Sequence, residues 1–173
     1  LNPTEAGIVV RCEPRSGGDE TLLLAQDVIG ADGVASKVAQ WCGARPQIAA
    51  PIVQARVTLP QGHDPNTTCV WFDRDETQYF FWLIPESEHT GVLGWVAEAA
   101  ADGRKPIQAF IREQGLEPLE WQGAVIPLHQ PLRRIDWRKG PSRILLIGDA
   151  AAHVKVTTVG GVVTGFWGAE AAA

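Results

Sequence analysis

The sequence lacks the features that mark several classes of protein. It has no methionine, one tyrosine and three cysteines among 173 residues. Because Cys12, Cys42 and Cys69 are odd in number and widely spaced, they form neither a disulfide framework nor a metal-binding pair, and they favour a reducing, cytoplasmic setting. No apolar run approaches the roughly 18 residues that a membrane-spanning helix needs. We therefore expect neither a metal site nor a transmembrane segment.

Positive charge is also scarce. Lys and Arg total 15 against 20 Asp and Glu, which gives a formal net charge of −5. Such a chain has no overall positive field to attract nucleic acid or an anionic membrane surface. Hydrophobic residues make up 45% and charged residues 20% of the sequence, as in globular proteins with a substantial core. We expect no nucleic-acid partner and no extended disorder.

The two ends of the sequence carry no start or stop signal. The chain contains no methionine, and residues 169–173 favour a helix without supplying a residue that would end it. We therefore expect the chain to be a piece of a longer protein.

Hydrophobic patterning predicts a strand-rich beginning. Residues 8–12 and 21–25 are apolar and separated by Pro and Gly, which is typical of a hairpin. Residues 27–43 read as a strand, a sharp turn at Asp32-Gly33 and a short helix. This strand, turn and helix unit is typical of an α/β sheet.

The middle of the chain is rich in β-branched and aromatic residues. We predict a mostly antiparallel sheet there, with a single helix over residues 105–114. The apolar run 143–147 then predicts a strand buried on both faces, as in a parallel sheet, and a helix follows over 160–173. The predicted strands of the middle region lie near 48–59, 67–73, 78–85, 91–97 and 120–127.

The most informative local pattern lies after the strand at 143–147. Asp149 follows its carboxyl end, which is where open α/β sheets bind ligands. A carboxylate there can accept charge-assisted hydrogen bonds from ligand hydroxyls, although an Asp that merely completes a turn is the simpler alternative. Gly160 and Gly161 allow a ligand to approach a helix start, whose free N–H groups favour negative charge.

The stretch from Gly148 to Val162 resembles the second FAD fingerprint of the aromatic-hydroxylase-like flavoproteins, a Gly-Asp-Ala-Ala loop that leads to a glycine-started helix. The resemblance implies that Asp149 binds the ribityl chain of FAD, flanked by Gly148 and Ala150. It also implies that the helix start lies beside N1 and O2 of the flavin and there stabilises the reduced anion. That helix start comprises Gly160, Gly161 and Val162.

The segment from Asp27 to Val38 resembles the middle fingerprint of the same superfamily, an apolar strand that ends in Gly-Ala-Asp-Gly before a Ser. The resemblance assigns Asp32 and Gly33 to the cofactor crevice, whereas the residues alone fit an ordinary turn equally well. It further implies that residues 1–45 and 130–173 form an FAD-binding domain and that residues 46–129 form a substrate-binding domain.

An aromatic strand supplies the third motif. Alternation places Phe80, Trp82 and Ile84 on one face, and Tyr79, Phe81 and Leu83 on the other. Because both faces are apolar, we expect both to be covered, one by the core and the other by a hydrophobic substrate. The alternative is that both faces are core. Trp71, Phe72 and Trp95 are candidates to extend the substrate lining.

The aromatic strand resembles the aromatic-x-Trp-x-aromatic-Pro motif of the geranylgeranyl reductases through Phe80, Trp82 and Pro85. Residues 155–161 also resemble that family's Lys-Pro-Thr-Thr-Gly-Gly-Gly loop, with Val156 in place of Pro and Val159 in place of Gly. The resemblance implies an enzyme that transfers hydride from reduced FAD to an isoprenoid double bond, with NAD(P)H as one candidate electron donor. It leaves the catalytic residues unassigned.

Two other functions remain open. The motif is also similar to the Trp-x-Trp-x-Ile-Pro motif of flavin-dependent halogenases, from which it differs at Phe80, so a halogenase or an aromatic monooxygenase is the first alternative. The second alternative is a non-catalytic carrier of hydrophobic ligands. For the reductase we expect a small hydrophobic substrate and a cytoplasmic location, with peripheral membrane contact through a lipid substrate as a variant.

Overall fold

The chain folds into two compact units in a computed structural model that describes residues 1–14, 16–97, 104–130 and 134–173. The first unit combines Leu1–Ile48 with Pro127–Ala173, and the second comprises Ala49–Ile126. The strands in chain order are β1 (Asn2–Thr4), β2 (Gly7–Cys12), β3 (Thr21–Ala25), β4 (Asp27–Gly30), β5 (Ala49–Thr58), β6 (Cys69–Trp71), β7 (Phe81–Pro85), β8 (Thr90–Val96), β9 (Pro118–Pro127), β10 (Asp136–Lys139) and β11 (Ser142–Leu146). The helices are α1 (Lys37–Trp41), α2 (Lys105–Glu113) and α3 (Val162–Ala172).

The first unit contains two three-stranded sheets. Strands β1, β2 and β3 form an antiparallel meander, which confirms the predicted hairpin. In the second sheet β11 lies between β10 and β4 and runs parallel to β4, as its apolar sequence predicts. Gly30 allows this sheet to pack closely, because a Cβ there would lie 2.7 Å from Cδ2 of Leu146 and 2.8 Å from Cβ of Val38 on α1.

The second unit is a five-stranded sheet in the order β6-β7-β8-β5-β9. The pairs β5–β8, β6–β7 and β7–β8 are antiparallel, in agreement with the sequence. Helix α2 covers one face and buries Ile107 and Ile111 in the core. These elements confirm the mixed α/β character of the chain.

Within the described ranges, no helix has the length and apolarity required to cross a membrane. Over the same residues, no group of three or more His, Cys, Asp and Glu side chains is arranged to hold a metal ion.

Candidate functional site

Asp149 lies in a tight turn directly after β11. Gly148–Ala151 form a 3₁₀ turn, which Ala152 closes in the left-handed conformation at φ 58°. The main-chain N–H of His153 donates to the carbonyl of Gly148 at 3.0 Å and fixes the turn. The Asp149 side chain is half-buried, and no donor among the described residues contacts its carboxylate. The turn thus presents a carboxylate that can accept hydrogen bonds from a ligand.

The start of α3 lies against this carboxylate. A Cβ on Gly161 would lie 3.0 Å from Oδ1 of Asp149, so a glycine at this position allows the start of α3 to approach the carboxylate closely. Gly161 provides no side-chain cap, which leaves the first N–H groups of α3, including that of Val162, without a helical partner. Free N–H groups and the positive end of the helix dipole favour an electron-rich ligand.

These groups fit the part of FAD that the resemblance assigned to them. The free carboxylate suits the ribityl hydroxyls, and the uncapped helix start suits the electron-rich pyrimidine edge of the flavin. Gly148, Asp149, Ala150, Gly161 and Val162 lie close together, with Gly160 directly before Gly161, and their contact with FAD stays a prediction.

The loop between the turn and α3 closes on itself. The N–H of Lys155 donates to the carbonyl of Gly160, and the N–H of Val159 donates to the carbonyl of Lys155, both at 3.1 Å. Val159 has a φ of 48°, in the left-handed region that a β-branched residue adopts at a steric cost. Val159 is the position at which the geranylgeranyl reductase motif has Gly, so the backbone conformation explains the preference for glycine.

We expect Val159→Gly to stabilise the first unit by about 1 kcal/mol, because glycine adopts this conformation without the Cβ clash. The measurement is urea unfolding followed by circular dichroism. Val156→Gly is the matched control, since Val156 lies in the same loop, is exposed and has no positive φ, and that change should destabilise. Equal destabilisation by the two changes would contradict the conformational argument.

His153 follows the turn and packs against α3. A Cβ on Gly168 would overlap its imidazole ring, and Nδ1 is buried without a hydrogen-bond partner among the described residues. Burial lowers the pKa of His153, so the ring is neutral at neutral pH. The Thr164 hydroxyl donates to the carbonyl of His153 and ties α3 to the turn. These contacts hold α3 against the turn that contains Asp149.

Asp32 is engaged by α1. Its carboxylate accepts hydrogen bonds from the Ser36 hydroxyl at 2.6 Å and from the N–H groups of Lys37 at 2.7 Å and Val38 at 3.2 Å. Burial opposes ionisation, but these hydrogen bonds outweigh it and hold the pKa of Asp32 below its usual value. Ser36 is the N-cap of α1 and accepts from the N–H of Ala39 at 2.9 Å, whereas Asp32 accepts from the first N–H groups of the helix. Gly33 forms the preceding turn at φ 79°. A cofactor contact by Asp32 or Gly33 stays a prediction.

We expect Asp32→Ala to destabilise the first unit by about 1–2 kcal/mol at neutral pH through loss of its hydrogen bonds to Ser36 and to the first turn of α1. Because the folded-state pKa is lowered, this contribution is complete above the unfolded-state pKa of roughly 4 and disappears as pH falls through the folded-state value. Urea unfolding at pH 7 and pH 3 checks the difference between the wild type and the variant. A difference independent of pH, or an equal loss in the control Asp75→Ala in an exposed loop, would contradict the assignment.

The second unit presents an exposed aromatic surface formed by Phe72, Phe80, Trp82 and Ile84. The rings of Phe72 and Phe80, and those of Phe80 and Trp82, have centroids 6.0 Å apart. Phe72 is 77% exposed and Ile84 is 47% exposed. Pro85 ends β7 beside these residues. This aromatic surface can contact an apolar ligand.

Gly94 explains how Trp82 lies on the sheet. It is opposite Trp82 in the β7–β8 pair, and a Cβ there would overlap the indole. Trp82 is thus held flat across the neighbouring strand. The sequence analysis missed Gly94, although a glycine inside a predicted strand is a recognised sign of close approach by another group.

The second unit does not show the alternative in which both faces of β7 are core, and coverage of the other face by a substrate stays a prediction. Phe81 and Leu83 are buried in the core, whereas the opposite face is partly exposed. Trp95 stacks on Phe81 with centroids 5.4 Å apart, and Trp71 packs edge-on against Phe110 at 5.1 Å. Both tryptophans therefore pack with the core and do not extend the aromatic surface. Alternation identified the two faces, but the position of α2 decides which one is covered.

Gln47 was not singled out by sequence. Its Nε2 donates to the carbonyl of Asp149 at 2.7 Å and lies 3.3 Å from the carbonyls of Val34 and Ala150. No local pattern marks such a residue, because its partners are as many as 103 positions away along the chain.

Comparison with known proteins supports the resemblance. No protein-family model matches the chain. Geranylgeranyl diphosphate reductase of Synechocystis sp. is 27% identical over 155 residues, which are 84% of this chain and 37% of that protein. Digeranylgeranylglycerophospholipid reductase 2 of Methanothermobacter thermautotrophicus is 29% identical over 144 residues, 78% of this chain and 36% of that protein. The chain thus spans about a third of the length of these curated relatives.

Solved structures share the fold. A geranylgeranyl bacteriochlorophyll reductase-like protein from Thermoplasma acidophilum has a TM-score of 0.76 at 19% identity and covers 89% of this chain and 41% of that one. The flavin-dependent halogenase CmlS has a TM-score of 0.67 at 17% identity, with coverage of 98% and 33%. The predicted resemblance to part of a geranylgeranyl reductase and the predicted aromatic-hydroxylase-like fold are confirmed.

Proposed function

We propose that the polypeptide containing this chain is an FAD-dependent oxidoreductase that reduces double bonds of an isoprenoid or lipid substrate. The observation that carries the proposal is the free, half-buried Asp149 carboxylate beside the uncapped start of α3. Relatives named as geranylgeranyl and digeranylgeranylglycerophospholipid reductases favour the isoprenoid substrate.

In this proposal the first unit holds the cofactor. Asp149 accepts hydrogen bonds from the ribityl chain, and the N–H groups at Val162 stabilise negative charge on the flavin. Gly148, Gly160 and Gly161 keep the approach free of side chains, Ala150 offers its main chain while its side chain is buried in the core, and Asp32 with Gly33 completes the crevice. Reduced FAD, when bound, supplies the hydride. NAD(P)H is the electron donor that we propose to test first.

The second unit contributes the substrate surface. Phe80, Trp82 and Pro85 would bind the apolar chain and exclude water from it. Flat aromatic rings suit a flexible hydrocarbon, because they provide contact area without a demand for hydrogen bonds. A lipid substrate would bring the protein to a membrane surface from the cytoplasm.

The test uses the complete polypeptide that contains this chain, loaded with FAD and kept anaerobic. Dithionite or NADPH supplies electrons, and geranylgeranyl diphosphate is the first substrate. We expect mass spectrometry to detect products that have gained two hydrogens for each double bond reduced. A protein that binds FAD, is reduced and leaves every prenyl substrate unchanged would refute the reductase proposal.

A flavin-dependent halogenase is the second candidate, favoured by the structural similarity to CmlS and by Ile84 beside Trp82 in the motif. Its test adds oxygen, chloride and an aromatic substrate to the same reduced protein and looks for a chlorinated product. A hydrophobic-ligand carrier would instead bind prenyl lipid and retain no flavin, so flavin absorbance of the purified protein separates this alternative from both enzymes.

A further inference from the structure

The Gln47 side chain joins two loops that are far apart in sequence. It lies just before β5, and its Nε2 faces the carbonyls of Val34, Asp149 and Ala150. Because all three neighbours are acceptors, the amide nitrogen must point toward them, and its orientation is fixed chemically. The shortest of these hydrogen bonds, at 2.7 Å, goes to the carbonyl of Asp149.

The two joined loops are the ones assigned to the cofactor. Val34 directly follows Gly33, and Asp149 with Ala150 forms the turn after β11. The Asp149 carbonyl also accepts from the N–H of Ala152 at 3.1 Å, so Gln47 binds a part of the turn that is already ordered. A shift of this carbonyl moves the Cα and therefore the carboxylate of Asp149.

We infer that Gln47 is a positioning residue that holds the main chain of Asp149 against the loop after Gly33 and thereby sets the affinity for FAD. The inference rests on the proposed function, because it concerns the same cofactor site. Gln47 itself acts through Asp149 and is not assigned a contact with the flavin. Its Oε1 is buried without a hydrogen-bond partner among the described residues, so all of the hydrogen bonds of the side chain are donated by Nε2.

Gln47→Glu tests the donor directly, because it keeps the shape of the side chain and replaces the NH₂ group by an acceptor. At pH 8.5 a carboxylate would face three carbonyls. These oxygens and partial burial raise the pKa of a carboxyl placed there above its ordinary value of about 4.3, so that a protonated form can donate to one carbonyl as the pH falls to 5.5. Relative to wild type at each pH, we expect FAD to bind the variant about tenfold more weakly at pH 8.5, with most of the affinity recovered at pH 5.5.

The experiment measures FAD dissociation constants by quenching of flavin fluorescence, with the complete polypeptide that contains this chain. Gln54→Glu is the matched control, because Nε2 of Gln54 also donates a 2.7 Å hydrogen bond, to Oε1 of Gln122 in the second unit, which contains neither cofactor loop. Hydrogen exchange of residues 148–153 in the apoprotein reports the position of the turn. We expect faster exchange in Gln47→Glu and no change in Gln54→Glu.

The outcomes separate the inference from the proposed function. If the wild type binds FAD and Gln47→Glu binds it equally well at pH 8.5, the inference fails and the proposed function stands. An FAD affinity lowered equally by Gln54→Glu, or lowered without faster exchange of residues 148–153, indicates general destabilisation and also overturns the inference. A wild type that binds FAD but reduces no prenyl substrate overturns the proposed reductase without touching the role of Gln47.

Discussion

Asp149→Ala is expected to weaken FAD binding by about 10- to 100-fold in the complete polypeptide. Hydrogen bonds to a charged group contribute about 1.5–3 kcal/mol, and each 1.4 kcal/mol is a factor of ten in affinity. The carboxylate meets no donor among the described residues, so its removal breaks no hydrogen bond within that part of the chain. We therefore expect the substitution to lower FAD affinity without lowering the free energy of unfolding. Isothermal titration with FAD measures it.

Two further variants give this prediction its controls. Asp149→Asn keeps one acceptor oxygen and loses the charge, so we expect a smaller loss than with alanine. Asp136→Ala removes a carboxylate of the same unit that pairs with Arg143 at 3.2 Å, and FAD affinity should not change. An Asp149→Ala protein that retains its flavin as firmly as the wild type would remove the main support for the proposed site.

The strand, turn and helix around Asp149 could be predicted because every signal is local. The apolar run that forms β11 is followed by Gly148, and glycines precede the start of α3. Periodicity likewise predicted β7 and its two faces. It could not predict which face α2 covers, because that depends on packing between elements separated in sequence.

Local sequence around Asp32 and Val159 also bears on their conformations, but it did not by itself predict them. Asp32 lies four residues before the N-cap Ser36, close enough to accept from the first N–H groups of α1, whereas the resemblance assigns it to the cofactor crevice. Val159 has a left-handed backbone, which only the glycine of the related motif indicated, since a valine alone predicts the opposite. Gln47 had no local signal at all, because its hydrogen bonds exist only after the two ends of the first unit meet.

Truncation of a side chain on the core face of β7 is expected to lower stability, whereas truncation on the exposed face is expected to lower substrate affinity. Phe81 is 1% exposed and stacks on Phe110 at 4.6 Å and on Trp95 at 5.4 Å. Phe81→Ala should therefore destabilise the second unit by about 3–5 kcal/mol, through lost burial and the cavity left behind. Urea unfolding followed by tryptophan fluorescence measures this loss.

Trp82→Ala, one residue along, should change unfolding by less than about 1.5 kcal/mol, because the indole lies across Gly94 on the partly exposed face. Its effect should fall on the substrate, with KM for a prenyl substrate raised about tenfold through lost apolar contact and FAD affinity unchanged. Phe72→Ala at the edge of the aromatic surface is the control and should raise KM less. If Trp82→Ala instead unfolds the second unit and leaves KM unchanged, the aromatic surface belongs to the core and the substrate must bind elsewhere.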